Sequence, residues 1–274
     1  ICGSALYLDW FPRYLLELAQ STPAVLLAPN YRLLPEATLP AVFSDVLDFW
    51  AWVRDSPAVS AGLATVPTAA GRLAIDRARV LVAGGSAGGY LSLCLALRFP
   101  EQIRGAVVGY PAFLGLASSF VEVSAVAGGG AAAAAAVSSY PHRSPVRTFT
   151  DLPDRLDLMD AAMRTGRIAE MFARGVDVDD DPERSLRYPM ERLDESVKIP
   201  RGGIAILHGR EDEVVSVEDS VRFVGKAKMV LRAEDAGRVA VTVREGGHGF
   251  DTPVGLGEGW LWESLRGVVG GWLE

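Results

Sequence analysis

Cysteine is scarce: 274 residues contain two, Cys2 and Cys94, too few for a disulfide framework. Cys94 lies in an apolar segment and reads as a core residue. Histidine is scarcer than its chemistry would suggest, with His142, His208 and His248 the only candidates for imidazole work. Positive charge is in deficit, 27 Lys and Arg against 34 Asp and Glu, for a net charge of −7. No basic stripe interrupts this balance, which excludes nucleic acid as a partner. No apolar run approaches the roughly 18 residues of a membrane-spanning helix. What remains is a chain that is 49% hydrophobic, enough for one large α/β core or a core with a small cap.

The most informative stretch is Arg79 to Arg98, RVLVAGGSAGGYLSLCLALR. Val80 to Ala83 reads as a buried strand, and Tyr90 to Leu97 as an apolar helix. Between them stands Gly84-Gly85-Ser86-Ala87-Gly88. A strand, a sharp turn with a central serine and a helix give the context in which G-x-S-x-G is a nucleophile elbow. Such a turn holds its serine in a strained backbone region and needs small neighbours, a role open to Gly84, Ala87, Gly88 and Gly89. The helix N-terminus behind Ser86 aims amide groups and a positive dipole end at the same point. An incidental serine in a glycine-rich turn is the plainer alternative, and the flanking strand and helix weigh against it.

Elsewhere strands and helices alternate. Ala5 to Gln20 has helical spacing, with Pro12 as a start or kink, and Ala24 to Ala28 reads as a short buried strand. Pro40 to Arg54 is a helix with an apolar face that includes Val42, Val46, Phe49, Trp50 and Val53. Phe43, Phe49, Trp50, Trp52 and Phe99 all read as core. Ser56 to Ile75, rich in Ala, Gly, Thr and Pro, reads as a surface loop. Ile103 to Tyr110, Gly203 to Leu207 and Val239 to Arg244 are strands, Val217 to Leu231 and Gly259 to Leu273 helices. The pattern predicts a mostly parallel sheet covered on both faces. It breaks between Ala112 and Pro200. That stretch holds Gly128-Gly129-Gly130 and the alanines 131–136, a flexible insertion, and a Met-bearing helical segment from Leu152 to Arg174. Asp177, Asp179, Asp180 and Asp181 lack the glycine and glutamate of a calcium loop and read as a solvated turn.

A serine hydroxyl needs a base to take its proton, and the base needs an acid to fix its tautomer. His142, in the Pro-flanked YPHRSP, reads as a surface residue, and His208, ending a strand, as a buried, hydrogen-bonded structural one. His248 lies between glycines after the last strand, where a loop can carry an imidazole over the sheet edge, and is the chosen base. The acid belongs just past the preceding strand. Asp212 is the choice there, with Glu211 and Glu213 as fallbacks. The Ala87 N–H, next to the nucleophile, is the one oxyanion donor that can be named. This chemistry calls for no metal or organic cofactor.

The order Ser86, Asp212, His248 matches that of α/β-hydrolases. The chain resembles the hormone-sensitive-lipase-like branch of that fold in further segments. Tyr31 to Glu36, YRLLPE, is similar to that family's YRLAPE; Gly84 to Gly89, GGSAGG, to its GDSAGG; His248-Gly249-Phe250 to its HGF. The resemblance runs from about Gly3 to the C-terminus, loosely across the cap. It implies an α/β-hydrolase fold with core segments 1–111 and 201–274 and a cap insertion, 112–200. It implies a serine esterase acting on small-molecule carboxylic esters of small or medium acyl chains. The same triad would also serve an acyltransferase or thioesterase, and the fold a non-catalytic ligand-binding protein. A cytoplasmic, fungal member is the expectation, with an edge-strand homodimer as an option. Two departures stand out. Gly85 replaces the family's frequent Asp, so a local hydrogen bond to the elbow is expected to be missing. The family's HGGG oxyanion loop would precede Ile1, so the chain as written is expected to lack it and its neighbouring strands, and to be weakly active or unstable.

Overall fold

The computed structural model describes residues 1–5, 7–68, 71–113, 135, 137, 145–151, 154–165, 167–174, 181, 183–195 and 197–274. His142, the Gly/Ala run apart from Ala135, and the acid run apart from Asp181 lie outside the described residues.

Among the described residues, four strands form one parallel sheet in sequence order: β1 (Leu81–Gly85), β2 (Gly105–Gly109), β3 (Ile204–Gly209) and β4 (Val239–Arg244). Leu81 registers with Gly105, Ala106 with Ile204, and Ile204 with Val239. The central strands β2 and β3 are wholly buried, as strands covered on both faces must be. Their side chains alternate between two cores. Ala106, Val108, Ile204 and Ile206 face α2 (Leu39–Asp55), α4 (Ala87–Arg98) and α7 (Val217–Val230). Val107, Ala205 and Leu207 face α1 (Arg13–Ser21) and α8 (Gly259–Leu273). The period of two in each strand thus meets helix stripes above and below.

Local sequence explains the helix boundaries. Thr38 caps α2 by accepting the Ala41 N–H, with Pro40 in the first turn. Arg32, in the YRLLPE segment, donates from its backbone and its guanidinium to Asp45 of α2, and also to the Ala41 carbonyl at 3.0 Å. That motif therefore fastens the chain to the helix that follows it.

Several expectations change. Ala24 to Ala28 has no regular secondary structure and pairs with no strand among the described residues, and Leu26 is 47% exposed. A strand needs a neighbour for its backbone groups, which hydropathy alone does not reveal. Of the two roles open to Pro12 the structure shows the start: the α-helix begins at Arg13, and Leu8, in a short 3-10 turn Leu8–Trp10 ahead of it, is exposed. The expected loop after Ser56 holds α3 (Pro57–Ala64), with Ser56 capping the Ala58 N–H and Pro57 at the first helical position. A two-residue antiparallel hairpin pairs Pro67–Thr68 with Gly71–Arg72. The Met-bearing segment is two helices, α5 (Leu156–Arg164) and α6 (Ile168–Ala173). Between them Thr165 turns back to hydrogen-bond the Ala161 carbonyl. Asp181 is not a solvated turn residue, because it forms a buried ion pair with Arg187. Trp52 stacks on Phe49 at the surface, 43% exposed, and is not core. No helix among the described residues is long and apolar enough to cross a membrane.

Phe223 is fully buried against Phe113, ring centroids 5.2 Å apart. Phe223→Ala is expected to lower unfolding free energy by about 3–5 kcal/mol. Trp52→Ala, on the exposed side of α2, is expected to cost less than about 1 kcal/mol. Urea denaturation of the two variants checks the assignment.

Candidate active site

Each strand of the sheet is followed by one residue of interest at its carboxyl end. Ser86 follows β1, Tyr110 follows β2, Asp212 lies three residues past β3, and His248 four past β4. In open parallel sheets, ligands bind at this edge.

Ser86 sits at φ 54°, ψ −120°, a strained position for a side-chain-bearing residue, at the start of α4. Its N–H donates to the Gly109 carbonyl at 3.0 Å, and its carbonyl accepts the Tyr90 N–H. The elbow is thereby tied to the end of β2 and to its own helix. Close approach explains the glycines around it. A β-carbon on Gly84 would stand 2.5 Å from the Gly88 carbonyl carbon, one on Gly85 2.5 Å from the Tyr110 hydroxyl, one on Gly89 2.5 Å from the Gly109 carbonyl oxygen. A β-carbon on Gly88 would meet nothing within 4 Å, so that position does not share the constraint. Ala87 is the first residue of α4, where the N–H has no acceptor within its own helix.

Asp212 and His248 come together as expected. His248 Nδ1 lies 2.9 Å from Asp212 Oδ2 and 3.1 Å from Oδ1. A carboxylate at Nδ1 places the imidazole hydrogen there and leaves Nε2 as the basic nitrogen. Asp212 Oδ1 also accepts the N–H groups of Val214 and Val215, at 2.8 and 2.9 Å. Burial pushes the Asp212 carboxyl up, but hydrogen bonds from His208 and His248, the His248 charge and the Val215 amide outweigh it. The net position is well below the ordinary carboxylate range, so Asp212 stays ionised. Its side chain is fully buried, while that of His248 is 25% exposed.

The fallback acids have other partners or positions. Glu211 accepts the Gly246 N–H at 2.6 Å, while its own N–H donates to the Gly246 carbonyl at 3.1 Å. These bonds zip the acid loop to the histidine loop. Glu213 is exposed. His208 is fully buried, as expected, with Nδ1 2.8 Å from Ser220 Oγ and Nε2 3.1 Å from the Val215 carbonyl. Its Nε2 also faces Asp212 Oδ2 at 3.4 Å, which the sequence did not indicate.

A second buried node was not anticipated. The Tyr110 ring meets His248 edge-on, centroids 4.6 Å apart, and its hydroxyl fills the space beside Gly85. That hydroxyl is hydrogen-bonded to Asp251, which also accepts the Tyr14 hydroxyl at 3.1 Å from α1. Burial, then the Asp251 charge, pushes Tyr110 up, so the phenol remains a donor. Asp251 is 1% exposed, and its Oδ1 has no hydrogen-bond partner among the described residues. No composition or spacing signal distinguishes Asp251 from the acids of the surface. Its one cue is that it follows His248-Gly249-Phe250 directly.

A cleft lined by Arg104, Lys198, Arg201 and Arg238 lies at the amino ends of β2 and β3, opposite Ser86. Its cations are largely engaged in ion pairs, Lys198 with Glu101 and Arg201 with Glu274 among them.

A family model described as an alpha/beta hydrolase fold matches residues 5–149. A probable carboxylesterase M8 of Phoma sp. is 28% identical over 271 residues, covering 95% of this chain and 79% of that protein. A probable carboxylesterase clz11 of Cochliobolus lunatus is 27% identical over 202 residues, 70% of this chain and 86% of that protein. Among solved structures, a Staphylococcus aureus protein of unknown function superimposes with a TM-score of 0.64 at 20% identity. That likeness covers 100% of this chain and 85% of the other.

Burial raises the Asp251 carboxyl above its ordinary value, so the folded state holds that proton more tightly than the unfolded chain does. Asp251 therefore costs stability as pH rises past about 3.9, the unfolded carboxylate value. Asp251→Asn keeps an acceptor for Tyr14 and Tyr110 and removes this cost. The variant is expected to gain stability over the parent between pH 3 and pH 8, a trend that thermal melts at the two pH values measure.

Proposed function

This chain belongs to the alpha/beta hydrolase fold family and is a carboxylesterase-like hydrolase, and on that premise we propose that Ser86, His248 and Asp212 form its catalytic triad. The observation that carries the reading is the Asp212–His248 hydrogen bond, together with a strained serine at the head of α4 on the same edge of the sheet.

In this reading Ser86 attacks the carbonyl carbon of an ester. His248 Nε2 takes the hydroxyl proton and returns it to the departing alcohol. Asp212 fixes the His248 tautomer and stabilises its cationic form, while remaining ionised throughout. The Ala87 N–H, at the positive end of α4, donates to the oxyanion. Water then repeats the attack on the acyl-serine and frees the acid. The substrates are carboxylic esters of small or medium acyl chains. The triad residues and Ala87 belong to core segments 1–111 and 201–274, with residues 112–200 as a cap. A smaller apolar cluster supports that reading for the middle of the segment, where Leu158, Ala161, Ala162, Ile168 and Met171 pack together and onto Leu34, while Phe113, Tyr188, Leu193, Val197 and Ile199 near its ends pack in the main core. The cap is anchored by Arg155, which pairs with buried Glu36 and donates to the Ile1 carbonyl at 3.1 Å.

Hydrolysis of p-nitrophenyl acetate and butyrate tests the assignment. Ser86→Ala is expected to lower kcat by about 10⁶-fold. Asp212→Asn is expected to lower it by about 10⁴-fold, because an amide at that position favours the wrong histidine tautomer. Parent-like turnover by Ser86→Ala would overturn the reading.

A further inference from the structure

Asp212 is held from two sides. On one is His248, and on the other is the buried ring of His208, whose contacts the proposed chemistry leaves unused. His208 is the next-to-last residue of β3, and Ser220 lies in the first turn of α7. His208 and Ser220 are both 0% exposed. Among the described residues, Nε2 of His208 faces two oxygens, the Val215 carbonyl at 3.1 Å and Asp212 Oδ2 at 3.4 Å. A nitrogen lone pair facing two acceptors would be repelled, so Nε2 carries the hydrogen and shares it between them. Nδ1, 2.8 Å from Ser220 Oγ, then accepts the serine hydroxyl proton. The loop is closed by the Val215 N–H, which donates to Asp212 Oδ1 at 2.9 Å. Strand, acid loop and α7 are thus joined through one imidazole.

We infer that His208 is a positioning residue for the triad, holding the Asp212 carboxylate and its loop in the orientation that hydrogen-bonds His248. The inference rests on the triad reading above and assigns His208 no contact with substrate. Two features separate the role from mere core filling. An apolar side chain of similar size would fill the space but leave the Val215 carbonyl and Asp212 Oδ2 without this donor. The freed carboxylate would then turn away from His248, which would lose part of the charge that stabilises its cationic form. The charged and polar groups around His208 are Asp212, Ser220, the Val215 carbonyl, the Tyr110 ring at 6.4 Å, and Glu218 through its electrostatic field. Those around His248 are Asp212, the Tyr110 ring and Asp251.

The test is the pH profile of p-nitrophenyl acetate hydrolysis from pH 5 to 9 by the whole chain, with His208→Leu, His208→Gln and Ser220→Ala. His208→Leu is expected to lower kcat about 10–100-fold with KM within about twofold, the scale of losing a partner that orients an active-site ligand. The acid limb of its kcat/KM profile is expected to move to lower pH. His208→Gln, which can return an N–H near the Nε2 position, is expected to recover most of kcat and the parent limb. Ser220→Ala leaves the ring in place and is expected to shift the limb the same way by less, so a result is obtained even if His208→Leu does not fold. An unmoved limb in both folded variants, or a limb moved to higher pH, overturns the inference. Parent activity that persists in Ser86→Ala would mark failure of the triad reading instead, since the parent and Ser86→Ala are assayed alongside.

Discussion

Parallel strand direction is the constraint from which the rest follows. Four strands that run the same way deliver four successive loops to one edge of the sheet. That edge gathers Ser86, Tyr110, Asp212 and His248 from positions spread over more than half of the chain. Parallel pairing demands helical crossovers, and these bury the central strands on both faces. The scaffold at the site is accordingly rigid: Val108, Ile204, Ile206 and Leu207 are almost entirely excluded from solvent. A strained serine persists only where its surroundings over-determine it, and here the Gly109 carbonyl, the first turn of α4 and three close glycine contacts do so.

The loops are joined to one another as well as to the sheet. Glu211 and Gly246 exchange hydrogen bonds between the acid and histidine loops. Tyr110 lies between the elbow and His248, its hydroxyl against Gly85 and its ring against the imidazole. Asp251 then ties Tyr110 to Tyr14 on the opposite face helix. The missing side chain at position 85 is therefore not a void. Tyr110 fills the space, and a hydrogen-bonded carboxylate stands close by, supplied from the histidine loop. His208 performs a comparable service on the far side of Asp212.

Much of this was legible in the chain. Strand–turn–helix context located Ser86, and glycine-flanked His248 and the acid past β3 followed from the chemistry that a serine requires. Strand β4 and helix α8 have the bounds their periodicity indicates. The failures have physical causes. Ala24 to Ala28 has strand composition, yet a strand is defined by partners that composition does not contain. Ser56-Pro57 is a helix start whose alanine-rich continuation reads equally as a loop. Trp52 shows the limit of hydropathy, since aromatic residues at helical spacing need not face inward. Asp181, Asp212 and Asp251 all have buried carboxylates, and only Asp212 could be singled out, because the role proposed for it is tied to a position just past a strand. The partners of the other two come from distant parts of the chain or, for Asp181, from an arginine six residues on.

The central claim is that this edge of the sheet activates one serine among many. Mass mapping after brief exposure to a fluorophosphonate measures that directly. The account predicts a single adduct on Ser86 that forms far more slowly in His248→Ala. An absence of adduct in the parent chain, or modification of another serine at an equal rate, would contradict it.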